Sequence, residues 1–260
     1  MMETNKKPIS KGVYILPNLF TVGSMFAAFY GIIMAHGGNY SGCAIAILVS
    51  AVLDGMDGKI ARLTHSASDF GVQLDSLADV IAFGAAPAYM IYFWQLRGLG
   101  SIGLAGAFLF MACGALRLAR FNVMAASSAS KKFFTGLPIP AAGCALACIT
   151  LFYNYLPDKI YPVMTWFSLV LTIALGLLMV SRVPYFAFKE FAPLRIKTFS
   201  MMVVFVLFFA LIVAAPKVFG FSFFVAYLFS GPIYLLVARR RRKIQSAAPG
   251  GITPDNDAKD

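Results

Sequence analysis

Long apolar runs, rather than alternating polar and apolar positions, dominate the chain from residue 13 onwards. A membrane-spanning helix needs roughly 20 consecutive apolar residues, and runs of that length are too long for ordinary strands. Short breaks that contain Gly, Pro, Asn or Asp separate the runs, as expected for turns. The pattern predicts eight spanning helices, at about 15–35, 40–60, 72–95, 99–121, 137–156, 162–182, 198–215 and 218–238.

The composition supports a protein that is embedded in a membrane. Hydrophobic residues make up 60% of the 260 positions and charged residues 13%, whereas soluble domains are nearer half apolar and a quarter charged. Only helices and closed barrels satisfy their backbone hydrogen bonds inside a bilayer, so the continuous runs favour an all-α, polytopic helical bundle. We expect a membrane domain at 13–238, preceded by a cytoplasmic segment at 1–12 and followed by a basic, then disordered cytoplasmic tail at 239–260.

Basic residues are distributed unevenly between the two sides of this predicted bundle. With the N-terminus in the cytoplasm, all but three of the 22 Lys and Arg residues fall on the cytoplasmic side, and the exceptions are Arg97, Lys159 and Lys217. The positive-inside rule therefore predicts that both termini are cytoplasmic. These loops and their attraction to anionic headgroups account for the net charge of +11, so we expect membrane lipids as partners and no nucleic acid.

Acidic residues are concentrated in one stretch, DGMDGKIARLTHSASDFGVQLDSLAD at 54–79, which holds five of the 11 carboxylates. Asp54 and Asp57 are three residues apart, so on a helix they share one face. Asp75 and Asp79 are four residues apart and share a face in the same way. The two pairs are therefore predicted to face one gap between two antiparallel helices.

The segment HSASDFG between the two pairs is typical of a turn, and Ser68 or Asp69 is a candidate N-cap for the second helix. An isolated ionised Asp inside a bilayer costs about 2.5–3.5 kcal/mol even on the lenient insertion scale. Four carboxylates also repel one another, so a cation must lie between them. Oxygen ligands suit Mg²⁺ or Mn²⁺, and a pair of such ions forms the clamp that is used in phosphoryl transfer.

Small residues and one arginine accompany the carboxylates. Gly58 and Ala61 would let a bulky group approach the backbone, and Arg62 could hold a phosphate through two hydrogen bonds. One alternative is a structural cation site or a solvated loop with salt bridges, which four carboxylates at helical spacing disfavour. Another is a cation transporter that uses the carboxylates as a transit site. The positive charge of Arg62 beside the carboxylates disfavours it, because a cation pathway has no use for an arginine there.

The stretch resembles the complete signature of the CDP-alcohol phosphatidyltransferase family. The matching positions are Asp54-x-x-Asp57-Gly58-x-x-Ala61-Arg62, then eight residues, then Gly71-x-x-x-Asp75-x-x-x-Asp79. Four further segments resemble the phosphatidylserine synthase branch of that family. They are PNLFT (17–21), FGVQLDSLADVIAFGAAPA (70–88), GALRLARFNV (114–123) and GLPIPAA (136–142).

The resemblance implies an α-helical integral-membrane homodimer, which we expect in a prokaryotic cytoplasmic membrane. The predicted topology puts the acidic stretch, and with it the active site, on the cytoplasmic side. By the same resemblance, the protein would move the phosphatidyl group of CDP-diacylglycerol to the hydroxyl of L-serine and release CMP. Asp79 would be the general base. The implied ligands of two Mg²⁺ or Mn²⁺ ions are Asp54, Asp57, Asp75 and Asp79. The implied contacts to the CDP-lipid are Gly58, Ala61, Arg62, Gly71, Asn18 and Thr21, although polar helix packing is an alternative role for the last two.

A serine substrate carries a carboxylate, so its site needs a positive charge. Arg117 and Arg120 lie within an otherwise apolar run at the predicted inner end of the fourth span, with Asn122 beside them. These three residues are candidates for binding serine, and anchoring at the membrane surface is the alternative role of the arginines. A same-family enzyme that uses glycerol 3-phosphate, inositol phosphate or another alcohol also remains open.

Overall fold

The computed structural model describes residues 15–64, 68–126, 136–153 and 161–181. These residues form helices and no strands, which confirms the predicted all-α class. The α-helices are α1 (Ile15–His36), α2 (Tyr40–Leu63), α3 (Asp69–Asp79), α4 (Ala86–Ile91), α5 (Ser101–Ala126), α6 (Ile139–Tyr153) and α7 (Tyr161–Val180). A π-helix at Val80–Ala85, here called the π-segment, joins α3 to α4, and a second π-helix (Tyr92–Leu96) and a 3₁₀ turn (Arg97–Leu99) follow α4.

Within the described ranges, four stretches are long and apolar enough to cross a membrane: Leu16–His36, Asp69–Leu99, Ser101–Met124 and Val163–Val180. They coincide with the first, third, fourth and sixth predicted spans. The second and fifth predicted spans are also helical, although α2 carries charged residues near its end and α6 has only 15 residues. The predicted spans at 198–215 and 218–238 and both termini lie outside the described residues, so the total of eight stays a prediction.

Helices α1 and α2 form a closely packed antiparallel pair. A Cβ atom at Gly31 would lie 3.0 Å from the Cβ of Ala46, so the missing side chain lets the two backbones approach each other. Farther along the same interface, the Ser24 hydroxyl donates to the Ser50 carbonyl at 3.0 Å, and the Ser50 hydroxyl donates to the Ser24 carbonyl at 2.9 Å. Both serines are buried, so these reciprocal hydrogen bonds fix α1 against α2.

The third span begins with a capped helix. The side chain of Ser68 accepts a hydrogen bond from the backbone N–H of Gly71 at 3.1 Å, which confirms Ser68 as the N-cap of α3. Asp69, the other candidate, is instead the first residue of the helix. Its negative charge there lies at the positive end of the helix dipole.

The core lies where the π-segment, α2, α5 and α6 meet. Phe83 of the π-segment, Ile47 of α2, Phe110 of α5 and Leu146 of α6 are all fully buried. Helix α6 is buried almost throughout its length, whereas one side of α1, α5 and α7 exposes large apolar residues, as expected for lipid-facing helices. The result is a bundle in which α6 is the central helix among those described.

Removal of either buried serine hydroxyl from the α1–α2 pair should destabilise the bundle. We expect Ser24→Ala and Ser50→Ala each to lower the free energy of unfolding by about 0.6 to 1.7 kcal/mol, the range of interhelical hydrogen bonds in membranes. Ser168→Ala is the matched control, because Ser168 is equally buried and its hydroxyl has no partner among the described residues. Equal losses in all three variants, measured by denaturant unfolding in detergent, would contradict this role for the hydrogen bonds.

Candidate active site

Three carboxylates from two helices converge at one end of the bundle. Asp54 and Asp57 project from the last part of α2 and Asp75 projects from α3, and one oxygen of each lies within 4.8 Å of the others. This convergence confirms that α2 and α3 present carboxylates to one gap. The ligand set consists of oxygen atoms alone, so it fits a hard divalent cation such as Mg²⁺ or Mn²⁺.

Asp79 lies one helical turn beyond Asp75, next to this group but outside it. The Asp54 carboxyl is within hydrogen-bonding reach of both Asp75 and Asp79, so all four aspartates belong to one connected cluster. One oxygen of Asp79, Oδ1, is buried and has no hydrogen-bond partner among the described residues. A buried acceptor without a donor is costly unless a bound group satisfies it. Asp79 Oδ1 can therefore accept a proton or a hydrogen bond from a bound group.

Helix α1 fixes one of the carboxylates. The hydroxyl of Thr21 donates to Oδ2 of Asp57 at 2.6 Å, and it also lies 3.3 Å from the Pro17 carbonyl. Thr21 and Asp57 are only 4% and 5% exposed, so this hydrogen bond is shielded from water. The sequence suggested that Thr21 contacts the nucleotide lipid or packs between helices. Its observed partner adds a third role, which is to orient a candidate metal ligand.

A pocket of about 110 Å³ opens beside the carboxylates, between α1, α2 and the start of α3. Its lining residues are Pro17, Asn18, Thr21, Asp57, Gly58, Ala61, Ser68, Gly71, Val72 and Asp75. Five of the six predicted CDP-lipid contacts are among them, and the side chain of the sixth, Arg62, lies outside the described part of the chain. The pocket is large enough for a phosphate group and smaller than typical sites that enclose a whole ligand.

Two glycines keep this pocket open. A Cβ at Gly58 would meet nothing within 4 Å, so the backbone of α2 is accessible there. A Cβ at Gly71 would lie 3.5 Å from Oδ1 of Asn18 and 3.2 Å from Oγ of Ser68, and it would narrow the space between α1 and α3. The pocket wall therefore leaves space for a group close to the backbones of α2 and α3.

The three candidate serine contacts have different surroundings. Arg117 is half-buried, and its positive charge acts on Asp79. Arg120, one turn farther along α5, is exposed. The side-chain amide of Asn122 donates to the hydroxyl of Ser76 on α3 at 3.0 Å. Arg117 is thus within electrostatic range of Asp79, and Asn122 links α5 to α3.

This arrangement defines a class: a helical protein with helices long and apolar enough to span a membrane and, at one end of its bundle, an acidic site that could hold a cation. Comparison with known families makes the class specific. The sequence model of the CDP-alcohol phosphatidyltransferase family matches residues 14–178, so the chain belongs to that family. The match includes all four aspartates and the whole pocket.

Curated relatives agree with this assignment. The chain is 38% identical to the CDP-diacylglycerol–serine O-phosphatidyltransferase of Helicobacter pylori over 196 residues, which are 74% of this chain and 80% of that protein. It is 32% identical to the enzyme of the same name from Bacillus subtilis, over 68% of this chain and 93% of the relative. It is also 33% identical to the archaetidylserine synthase of Methanothermobacter thermautotrophicus, over 70% and 73% of the two chains.

The hydrogen bond from Thr21 to Asp57 should strengthen binding of a divalent cation. Thr21→Val removes the hydroxyl and keeps the shape of the side chain, so we expect the affinity for Mn²⁺ to fall about 10- to 100-fold, as for other partners of metal ligands. Thr21→Ser keeps the donor and should bind Mn²⁺ nearly as the wild type does. Calorimetric titration of the detergent-solubilised protein measures both, and wild-type affinity in Thr21→Val would disprove the orienting role.

Proposed function

We propose that the protein transfers a phosphatidyl group from CDP-diacylglycerol to the hydroxyl of L-serine and releases CMP. The observation that carries this proposal is the convergence of Asp54, Asp57 and Asp75 beside a pocket whose wall contains the predicted nucleotide contacts. The names of the relatives support serine as the acceptor. In the reaction, the serine oxygen forms a bond to the lipid-bearing phosphorus while the bond from that phosphorus to CMP breaks.

The carboxylate cluster is the proposed cofactor site. Asp54, Asp57, Asp75 and Asp79 would together hold two ions, either Mg²⁺ or Mn²⁺, and the close approach of the first three supports this assignment. Bound divalent cations would neutralise the pyrophosphate and the charge that develops on departing CMP. The protein contributes a fixed array of oxygen ligands, which Thr21 orients from α1.

Asp79 is the proposed general base. Its buried Oδ1, which lacks a donor among the described residues, can accept the proton of the serine hydroxyl as the new bond forms. Arg117 contributes a positive charge close to this carboxyl. The same charge can attract the carboxylate of serine, which would bring its hydroxyl towards Asp79. Arg120 and Asn122 remain secondary candidates for serine contacts.

The pocket is the proposed site for the CDP part of the lipid. Its wall residues Asn18, Gly58, Ala61 and Gly71 allow phosphate or sugar groups to approach two helix backbones. Arg62, one helical position beyond Ala61, would bind a phosphate. The lipid tails would extend along the apolar outer faces of the bundle. One relative is named archaetidylserine synthase, so the lipid part of the substrate differs among the relatives.

We also infer that the site faces the cytoplasm of a prokaryotic cell and that the protein has eight spans, with both termini inside. The uneven distribution of Lys and Arg supports this orientation. A homodimer is proposed from the family resemblance. The membrane domain is proposed to extend over 13–238, between a short N-terminal segment and the basic tail of 239–260.

A panel of acceptors tests the proposed function. Purified protein is incubated with CDP-diacylglycerol and Mn²⁺, and L-serine, glycerol 3-phosphate or inositol phosphate is added in turn. We expect CMP release with serine alone. CMP release with a phosphorylated alcohol but not with serine would replace the serine assignment by another acceptor. Absence of CMP with every acceptor, together with cation flux from liposomes, would favour a transporter.

The different surroundings of Arg117 and Arg120 lead to a second prediction. Arg117→Gln removes the charge that acts on Asp79, and we expect the KM for serine to rise about tenfold or more, which corresponds to the loss of one charge-assisted hydrogen bond to the substrate. The KM for CDP-diacylglycerol should change much less. Arg120→Gln removes the same charge from an exposed position one turn farther along α5 and should have the smaller effect. A larger rise in the serine KM for Arg120→Gln would reverse the assignment of the two arginines.

A further inference from the structure

The π-segment begins immediately after Asp79. The backbone N–H of Ala86 bonds to the carbonyl of Ile81, five residues earlier, where an α-helix would use the residue four earlier. Such a turn holds one extra residue, which rotates everything beyond it by about 100° relative to a continuous α-helix. The π-segment therefore sets how α3, which ends at Asp79, is rotated relative to α4. Because π-helices are uncommon and frequently lie at functional sites, neighbouring groups are expected to stabilise this one.

Helix α6 provides this stabilisation from one side. A Cβ atom at Gly143 would lie 2.9 Å from the carbonyl oxygen of Phe83 and 3.0 Å from its Cα, so α6 packs directly against the π-segment backbone. Phe83 itself is fully buried. An alanine in place of Gly143 would require the π-segment to move, because its Cβ would lie too close to backbone atoms of Phe83, which cannot turn aside as the end of a flexible side chain can.

Ile139, one turn before Gly143, links this contact to Arg117. Its Cδ1 lies 3.7 Å from the position of a Cβ at Gly84 in the π-segment and 2.5 Å from that of a Cβ at Gly114 in α5. The fully buried isoleucine side chain thus fills the space between two glycines. Gly114 lies three residues before Arg117 on α5, so Ile139 separates the helix that carries Arg117 from the segment that follows Asp79.

The start of α6 is itself fixed by the end of α7. Gly136 has a left-handed φ of +91°, and a Cβ there would collide with the carbonyl of Met179. The backbone N–H of Leu137 donates to the carbonyl of Leu178 at 3.0 Å. The GLPIPAA motif, for which the chemistry of the site has no direct use, is therefore anchored to α7 at its start and reaches the π-segment through Ile139.

We propose that Ile139 and Gly143 are positioning residues, which hold Asp79 and Arg117 at their working separation through the π-segment and α5. The proposal rests on the roles that the proposed function gives to Asp79 and Arg117. It assigns to the GLPIPAA motif a part in setting the geometry of proton transfer rather than in binding substrate.

The first test removes a single methyl group. Ile139→Val deletes Cδ1, and we expect kcat to fall about tenfold, since small misplacements of catalytic groups are costly. The KM and the calorimetric Kd for CDP-diacylglycerol should stay within about twofold, because the pocket lies on α1, α2 and α3. Ile149→Val is the matched control, with the same deletion at a buried position farther along α6. Equal kcat values in the two variants would overturn the proposal.

A size exchange tests the contact itself. Gly114→Ala should lower kcat, because its new methyl group meets Cδ1 of Ile139. Ile139→Val removes that atom, so the double variant Gly114→Ala/Ile139→Val should recover part of the lost kcat. Gly31→Ala is the control for a tight helix contact away from the π-segment, and it should not be rescued by Ile139→Val. A double variant that is worse than both single variants would contradict the proposal.

A double-mutant cycle separates this proposal from the proposed function. If Ile139 acts through Asp79, Ile139→Val should not lower further the residual kcat of Asp79→Asn. If Ile139→Val lowered kcat by the same factor in the wild type and in Asp79→Asn, the positioning role would be overturned and the proposed base would be unaffected. Turnover of Asp79→Asn close to that of the wild type would instead disprove the base assignment, and the positioning proposal would fail with it.

Discussion

The concentration of carboxylates at one end of an apolar bundle is the constraint on which the rest of the structure depends. Charges in such surroundings are unfavourable unless cations or hydrogen-bond donors compensate them. Asp54, Asp57 and Asp75 lie within 4.8 Å of one another, so their mutual repulsion adds to this cost. The helices that carry them must be held together by packing elsewhere, and the bound partner must be positive. The packing of the helices and the binding of a positive partner therefore both depend on these carboxylates.

The packing that supports the cluster relies on small residues and short hydrogen bonds. The reciprocal bonds of Ser24 and Ser50 and the close approach at Gly31 hold α1 against α2, and Thr21 extends this contact to Asp57. Elsewhere in the bundle, Gly143 of α6 packs against the backbone of the π-segment. In a bilayer, where apolar burial between helices contributes little, such close contacts are the main source of association.

Much of this could be predicted from the sequence. Run lengths predicted the positions of helices at the first six predicted spans, and four of the described stretches are long and apolar enough to cross a membrane. The helical spacing of the aspartates predicted that their carboxylates face one gap. The distinction between Arg117 and Arg120 could not be predicted, because it depends on the rotation of α5 within the bundle. The π-segment was also missed, since VIAFGA carries no sequence signal that separates a π-helix from an α-helix. Asn122 has a protein partner, Ser76, that lies 46 residues away in sequence and is brought near only by the fold.

The central claim is that the aspartates of α2 and α3 form a divalent cation site that serves transfer from a CDP-linked lipid. Anomalous diffraction from crystals soaked in Mn²⁺, with and without CDP-diacylglycerol, tests it most directly. The account predicts anomalous density among Asp54, Asp57 and Asp75, in contact with the pyrophosphate when the lipid is present. Ordered lipid in the pocket with no anomalous density at these carboxylates, at saturating Mn²⁺, would contradict it.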